Sequence, residues 1–288
     1  MSDRFAEMDN WTSEQVAQFK ESGRLKMYQT SERAVSLQAN GPGILMAEGD
    51  SWFDYLPGTD IIDCLRQYYD YLIENYAQAG DTLENMIYGT RVNRDFEPVS
   101  PTIDRVLQRL GELQPPVFLF SGGGNDVAGE SFESYLNHKD SGLPVLRESF
   151  LEDMINVVYR KYLEDLIAKV AAVAPNTHII THGYGYTLPT GIGVSVLFVT
   201  FSGPWLKPAL ARKDILDPEE QRQIIFKIIS KYNEMMMSLE QKYEKFHYLD
   251  LRLRIDPQQD WVDELHLRNS AYARVAEQIH TKIQALMG

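Results

Sequence analysis

The sequence predicts an α/β protein in which a mostly parallel, five-stranded sheet lies between two layers of helices. Two observations carry this. Short apolar runs rich in β-formers alternate with longer segments of helical periodicity, and polar glycine-containing turns follow the first three runs. A strand-helix-strand rhythm implies helical crossovers that return each strand parallel to the last, with helices covering both faces of the sheet.

In chain order, Thr12 and Gln15 have the spacing of a capping box for a short helix through Gly23. Polar, unpatterned chain then runs to Gly41-Pro42-Gly43. The first strand is expected at Gly43 to Ala47, a helix at Asp60 to Tyr69 and the second strand at Tyr71 to Ala77. A helix at Pro101 to Leu113, a strand at Val117 to Phe120, a long helix at Glu148 to Val173 and a strand at His178 to His182 continue the alternation. A helix at Pro218 to Lys245, a strand at His247 to Leu251 and a last helix at Asn269 to Met287 complete it. Residues 1–42 therefore form an N-terminal extension and 43–288 one domain. Within that domain, Tyr184 to Lys213 is irregular, with Gly and Pro interrupting apolar chain, and suits a lid or substrate-facing loop about as well as a structural hairpin.

Bulk composition narrows the function classes. A chain of 288 residues with 44% hydrophobic content can bury a sizeable core unaided. Lys and Arg total 28 against 41 Asp and Glu, and the formal net charge of -13 repels nucleic acid and anionic lipid surfaces at long range. Cys64 is the only cysteine and sits among Ile61, Ile62 and Leu65, so it reads as a packed thiol, and a reducing compartment is compatible. The acidic start "MSDRFAEMDNWTSEQ" does not read as a signal peptide, which makes the cytoplasm the expected location, with export by another route left open. The longest central apolar run, Gly191 to Phe201, is too short to cross a bilayer, which takes about 20 residues.

Placed on this scheme, the polar clusters fall at corresponding points. Gly49-Asp50-Ser51 follows the first strand, Gly80-Asp81 the second and Gly123-Gly124-Asn125-Asp126 the third, while Asp263 and His266 precede the last helix. All four should gather at one edge of the sheet, outside the carboxyl ends of the strands. The blocks "EGDSWF", "AQAGDTL", "SGGGND" and "VDELHLRNSAY", in that order, resemble the SGNH, or GDSL-type, hydrolase family over Gly49 to His266. Trp52-Phe53-Asp54 and Tyr272 depart from residues often seen there, which bears on substrate shape rather than chemistry.

The resemblance implies a flavodoxin-like α/β/α sandwich and a serine hydrolase that needs no metal or cofactor. It assigns Ser51 as nucleophile, His266 as general base and Asp263 as the carboxylate that orients the imidazole. The backbone N–H groups of Ser51 and Gly80 and the side-chain amide of Asn125 become the oxyanion hole. The chemistry asks for these residue types. A serine hydroxyl is a weak nucleophile until a base takes its proton, and charge developing on the carbonyl oxygen needs donors already aimed at it. Gly49 permits the tight turn that exposes the serine. Each block has a plainer reading alone: Gly-Asp-Ser as an ordinary turn, the glycine run as a loop, Asp263 as a helix cap or a partner of Arg268.

Around these residues, Asp50 is expected to accept loop N–H groups, Gly124 to allow close backbone approach, and Trp52, Phe53 and His182 to border the substrate. His178 and His182 share a strand face, but no third metal ligand accompanies them, and packing is the expectation. No phosphate-binding glycine motif and no G-x-S-x-G elbow is present in the sequence. The expected substrate is a small-molecule or lipid ester. Trp52, Phe53 and the apolar "VSVLFVTF" favour an acyl chain, hence a lipase, lysophospholipase or esterase. A carbohydrate O-deacetylase, an acyltransferase and a non-catalytic binding or regulatory module on the same scaffold are the alternatives.

Overall fold

A computed structural model describes residues 3–37, 44–196 and 199–288. Gly41-Pro42-Gly43, part of the apolar run at Leu197 and Phe198, and the side chains of 195–201 lie outside the described set. In chain order the elements are α1 (Ser13–Leu37), β1 (Ile44–Gly49), α2 (Ile61–Tyr69), β2 (Leu72–Asn75), α3 (Leu83–Tyr88), α4 (Thr102–Leu113), β3 (Val117–Ser121) and α5 (Gly124–Ala128). There follow α6 (Glu148–Asp153), which runs through a π-helical turn into α7 (Arg160–Val173), then β4 (His178–His182), β5 (Val194–Val196) and β6 (Val199–Ser202). The chain ends with α8 (Leu206–Arg212), α9 (Pro218–Lys242), β7 (Phe246–Leu249) and α10 (Asn269–Met287).

Five strands form one parallel sheet in the order β2-β1-β3-β4-β7. Winding runs outward from β1 to β2 and then crosses back over β1 to β3. Right-handed crossovers therefore put α2 on one face and α3, α4, α7 and α9 on the other, with α10 returning to the α2 face. The packing follows: α2 meets α1 and α10, whereas α7 meets α3, α4 and α9. With both faces covered, β1 and β3 are buried along nearly their whole length, which is why they read as continuous apolar runs rather than alternating ones. The reversal point lies between β1 and β3, in register at Gly49 opposite Ser121. A three-layer α/β/α sandwich with a five-stranded parallel sheet is thus the fold that the alternation predicts.

Differences are local. The capping box is present, with Gln15 Oε1 accepting from Thr12 N at 2.8 Å and Thr12 Oγ1 from Gln15 N at 3.3 Å. The helix it starts does not stop at Gly23 but continues to Leu37. A single glycine costs a helix only about 1 kcal/mol, too little by itself to end one. Buried Lys20 Nζ reaches Asp63 at 2.7 Å, Asp60 at 3.3 Å and the Tyr55 carbonyl at 2.8 Å. Phe5, Met8 and Val16 are buried, and Asp9 accepts from Ser270 N and Oγ at 2.9 and 2.7 Å. The extension is therefore packed on α2 and α10. In 184–213 the chain holds the β5–β6 antiparallel hairpin between two irregular stretches, followed by α8. Short α3, α5 and α8 have too few turns to show a period in the sequence.

Candidate active site

The turn after β1 is held by Asp50. Its buried carboxylate accepts from Trp52 N at 3.0 Å, Ser121 Oγ at 2.7 Å and Tyr184 OH at 2.7 Å. One loop N–H is accepted as expected, and two hydroxyls join it, from the end of β3 and from just beyond β4. At Gly49 a Cβ would lie 2.7 Å from the Ser121 carbonyl oxygen, so only glycine lets β1 and β3 meet this closely at the turn.

Ser51 emerges from the turn 8% exposed, with its Oγ 2.8 Å from His266 Nε2. His266 Nδ1 lies 3.0 Å from each carboxylate oxygen of Asp263. Since a carboxylate only accepts, Nδ1 carries the proton and the Nε2 lone pair faces the serine hydroxyl. Asp263 Oδ1 also accepts from Leu265 N and His266 N at 2.8 Å each. The loop that carries both residues is closed by a bridge between Trp261 and Leu267 and by Val262 N donating to His266 O at 2.9 Å. A tight turn of this kind puts residues three apart on the same side. Tyr55 stacks on the imidazole at 4.3 Å, and Trp205 meets it edge-on at 5.9 Å. Burial, with the Asp263 charge beside it, pushes the Tyr55 phenol far above its usual range, so it stays neutral.

Asn125 lies in α5, and its Nδ2 donates to the Asp81 carbonyl at 2.9 Å, which ties it to the turn after β2. Ser51 and Asn125 line one cavity. Gly80 sits in that same turn at φ +81°, exposed and outside the cavity lining. Beside Asn125, the Asp126 carboxylate accepts from Leu83 N at 3.0 Å. Burial, opposed by that hydrogen bond, raises its pKa to about 7.

The residues expected to border the substrate separate. Trp52 and Gly124 line the cavity, and a Cβ on Gly124 would press on the Tyr184 ring at 2.8 Å. Phe53 does not line it: 1% exposed, it belongs to the core. Nor does His182, which is fully buried with its ring stacked 4.9 Å from that of Trp52 and its Nδ1 donating to the Gly183 carbonyl at 2.8 Å. His182 is interior because β4 is covered on both faces, so either side of that strand is buried. Burial lowers the His182 pKa and keeps it neutral. At the other end of β4, His178 Nδ1 lies 2.8 Å from His247 Nε2. Among the described residues, no group of three or more His, Cys, Asp or Glu could hold a metal ion.

The sequence reading missed Tyr184, Thr187, Ile229, Trp261, Glu264 and Leu265, which line the cavity with Val127, Ala128 and Gly185. Tyr184 could have been found from its place just beyond the carboxyl end of β4, and Trp261, Glu264 and Leu265 from their adjacency to Asp263. Ile229 carries no local signal, because α9 is apolar along one whole side.

No family model and no curated protein matches the chain. Solved structures do. The periplasmic domain of a lipopolysaccharide acetyltransferase from Salmonella ser. Paratyphi A is 14% identical, with 85% of each chain covered and a TM-score of 0.51. A phospholipase A1 from Streptomyces albidoflavus NA297 is 13% identical over 83% of this chain and 99% of its own, with a TM-score of 0.49. A family 3 carbohydrate esterase of Clostridium thermocellum is 16% identical over 85% of this chain and 99% of its own, at 0.45. The first of these likenesses, together with the strand order, defines the class at the level of architecture: a three-layer α/β/α sandwich on a five-stranded parallel sheet. Among the described residues, no helix is long and apolar enough to cross a membrane.

Proposed function

We propose that this chain is a serine esterase of the SGNH type that cleaves a carboxylic ester through an acyl-Ser51 intermediate. The observation that carries the reading is the continuous hydrogen-bond chain from Ser51 Oγ through His266 to Asp263. His266 takes the serine proton as Oγ attacks the carbonyl, and Asp263 stabilises the imidazolium. The Asn125 amide and the Ser51 N–H, which share the cavity, stabilise the oxyanion. His266 then gives its proton to the leaving alcohol, and a water activated the same way releases the acid.

The cavity favours a short acyl group. Its free space is about 30 Å³ and its walls are largely apolar. An enclosed space of that size suits acetyl, and a longer chain would have to run out through the cavity's open side. Of the expected supports for a lipid chain, Phe53 is in the core, and "VSVLFVTF" falls mostly on side chains outside the described set. Acetyl transfer to an acceptor other than water uses the same residues, so deacetylation and acetyl transfer both fit.

The test is hydrolysis of p-nitrophenyl esters from acetyl to palmitoyl by wild type and Ser51→Ala, with stoichiometric fluorophosphonate labelling. Labelling at Ser51, fastest turnover on acetate and a loss in Ser51→Ala of about 10⁴-fold or more in kcat are expected. Turnover that rises toward palmitoyl overturns the short-acyl reading. Absence of both labelling and Ser51-dependent turnover leaves a binding or regulatory module.

A further inference from the structure

Glu264 stands between Asp263 and His266 and is fully buried. A carboxylate in the interior is costly unless its lone pairs are filled. Here four main-chain N–H groups fill them, drawn from both sides of the β5–β6 hairpin. Oε1 accepts from Gly191 at 2.9 Å and Lys207 at 3.1 Å, and Oε2 accepts from Trp205 and Leu206 at 2.7 Å each. The main chain of Glu264 adds two more links: its N–H donates to the Ile192 carbonyl at 3.3 Å, and its carbonyl accepts from Thr187 Oγ1 at 2.9 Å. Ester cleavage as derived above makes no use of this carboxylate. Its bonds nonetheless join the loop that carries the base to the segment that carries half-buried Trp205, whose ring meets the imidazole edge-on.

We propose that Glu264 is a positioning residue that fixes the chain at Thr187–Ile192 and at Trp205–Lys207, and so holds Trp205 beside His266 and selects the alcohol portion of the ester. The inference rests on the reading of Ser51 as nucleophile. The leaving alcohol must sit where His266 Nε2 can protonate it, so its substituent lies alongside the imidazole. Tyr55 covers one face of that ring, and Trp205 is the less buried aromatic next to it. Only a carboxylate suits the four donors. In Glu264→Gln one oxygen becomes an amino group that faces two N–H donors.

Two measurements on the full chain test this. Amide hydrogen exchange at Gly191, Trp205, Leu206 and Lys207 is expected to quicken at least ~10-fold in Glu264→Gln, as charge-assisted bonds are lost. The ratio of kcat/KM for 1-naphthyl acetate to that for ethyl acetate, two esters with the same acyl group, is expected to shift about 10-fold in Glu264→Gln and in the same direction in Trp205→Ala. If Glu264→Gln does not fold, Thr187→Val, which removes one link to the same segment, is read by the same two measurements. Unchanged exchange overturns the clamp. Faster exchange with an unchanged ratio reduces Glu264 to a structural role and overturns the selection. Failure of wild type to label with fluorophosphonate sinks the Ser51 reading instead, and the exchange result still decides the clamp.

Discussion

Replacing Glu48 with glutamine isolates the cost of one buried carboxyl in the strand that leads to Ser51. Glu48 lies in β1 with no exposed surface, and neither of its oxygens has a hydrogen-bond partner. Burial first, and the Asp81 charge second, raise its pKa from 4.5 to about 9; the neighbouring Gly49 N–H acts in the opposite direction without reaching hydrogen-bond geometry. A folded-state pKa above the unfolded one means that the native state holds a proton the unfolded chain has lost. The contribution to stability is therefore complete below about pH 4.5 and is lost as pH rises toward about 9. At 1.36 kcal/mol per unit, the interval from pH 5 to pH 8 costs wild type about 4 kcal/mol through this group. Glutamine keeps the shape and cannot ionise. The stability of Glu48→Gln relative to wild type should thus grow by about 4 kcal/mol between pH 5 and pH 8, read from urea unfolding followed by tryptophan fluorescence. A gap that changes by less than about 1 kcal/mol, or that narrows, refutes the reasoning, because the pKa shift and its linkage to folding would then be absent.

Other expectations follow from single contacts. Asn125→Ala should lower kcat on p-nitrophenyl acetate by about 10²- to 10³-fold with little change in KM, since the amide is assigned to the transition state; a loss confined to KM contradicts that assignment. Asp263→Asn should cost about 10⁴-fold in kcat by losing the acceptor that sets the His266 tautomer. Lys20→Met strands Asp60 and Asp63 as buried, unpaired carboxylates and should lose about 3–5 kcal/mol in urea unfolding; a stability within error of wild type means that the ion cluster does not anchor α1. Gly49→Ala places a methyl 2.7 Å from the Ser121 carbonyl, so it should lose about 1–3 kcal/mol and most fluorophosphonate labelling together.

Much of the molecule is local in origin and could be read from the chain. β4 and α10 have the bounds that hydropathy and periodicity predict, because a strand covered on both faces and a long amphipathic helix each write their own pattern. The gathering of Ser51, Asn125, Asp263 and His266 was legible for a related reason: parallel strands deliver all their carboxyl-end loops to one edge. Tertiary structure decided what each buried side chain meets. Lys20 and its two carboxylates, forty or more residues away, tie the first half of α1 to α2. Trp52 and Phe53 are neighbours in the chain and both are buried, yet only Trp52 lines the cavity. Glu264 looks like any acidic residue between Asp263 and His266 until Gly191 and Trp205 to Lys207 are folded around it. Spacing along a chain determines which face a residue occupies, whereas cavity size and hydrogen-bond partners depend on residues that only the completed fold brings within a few ångströms.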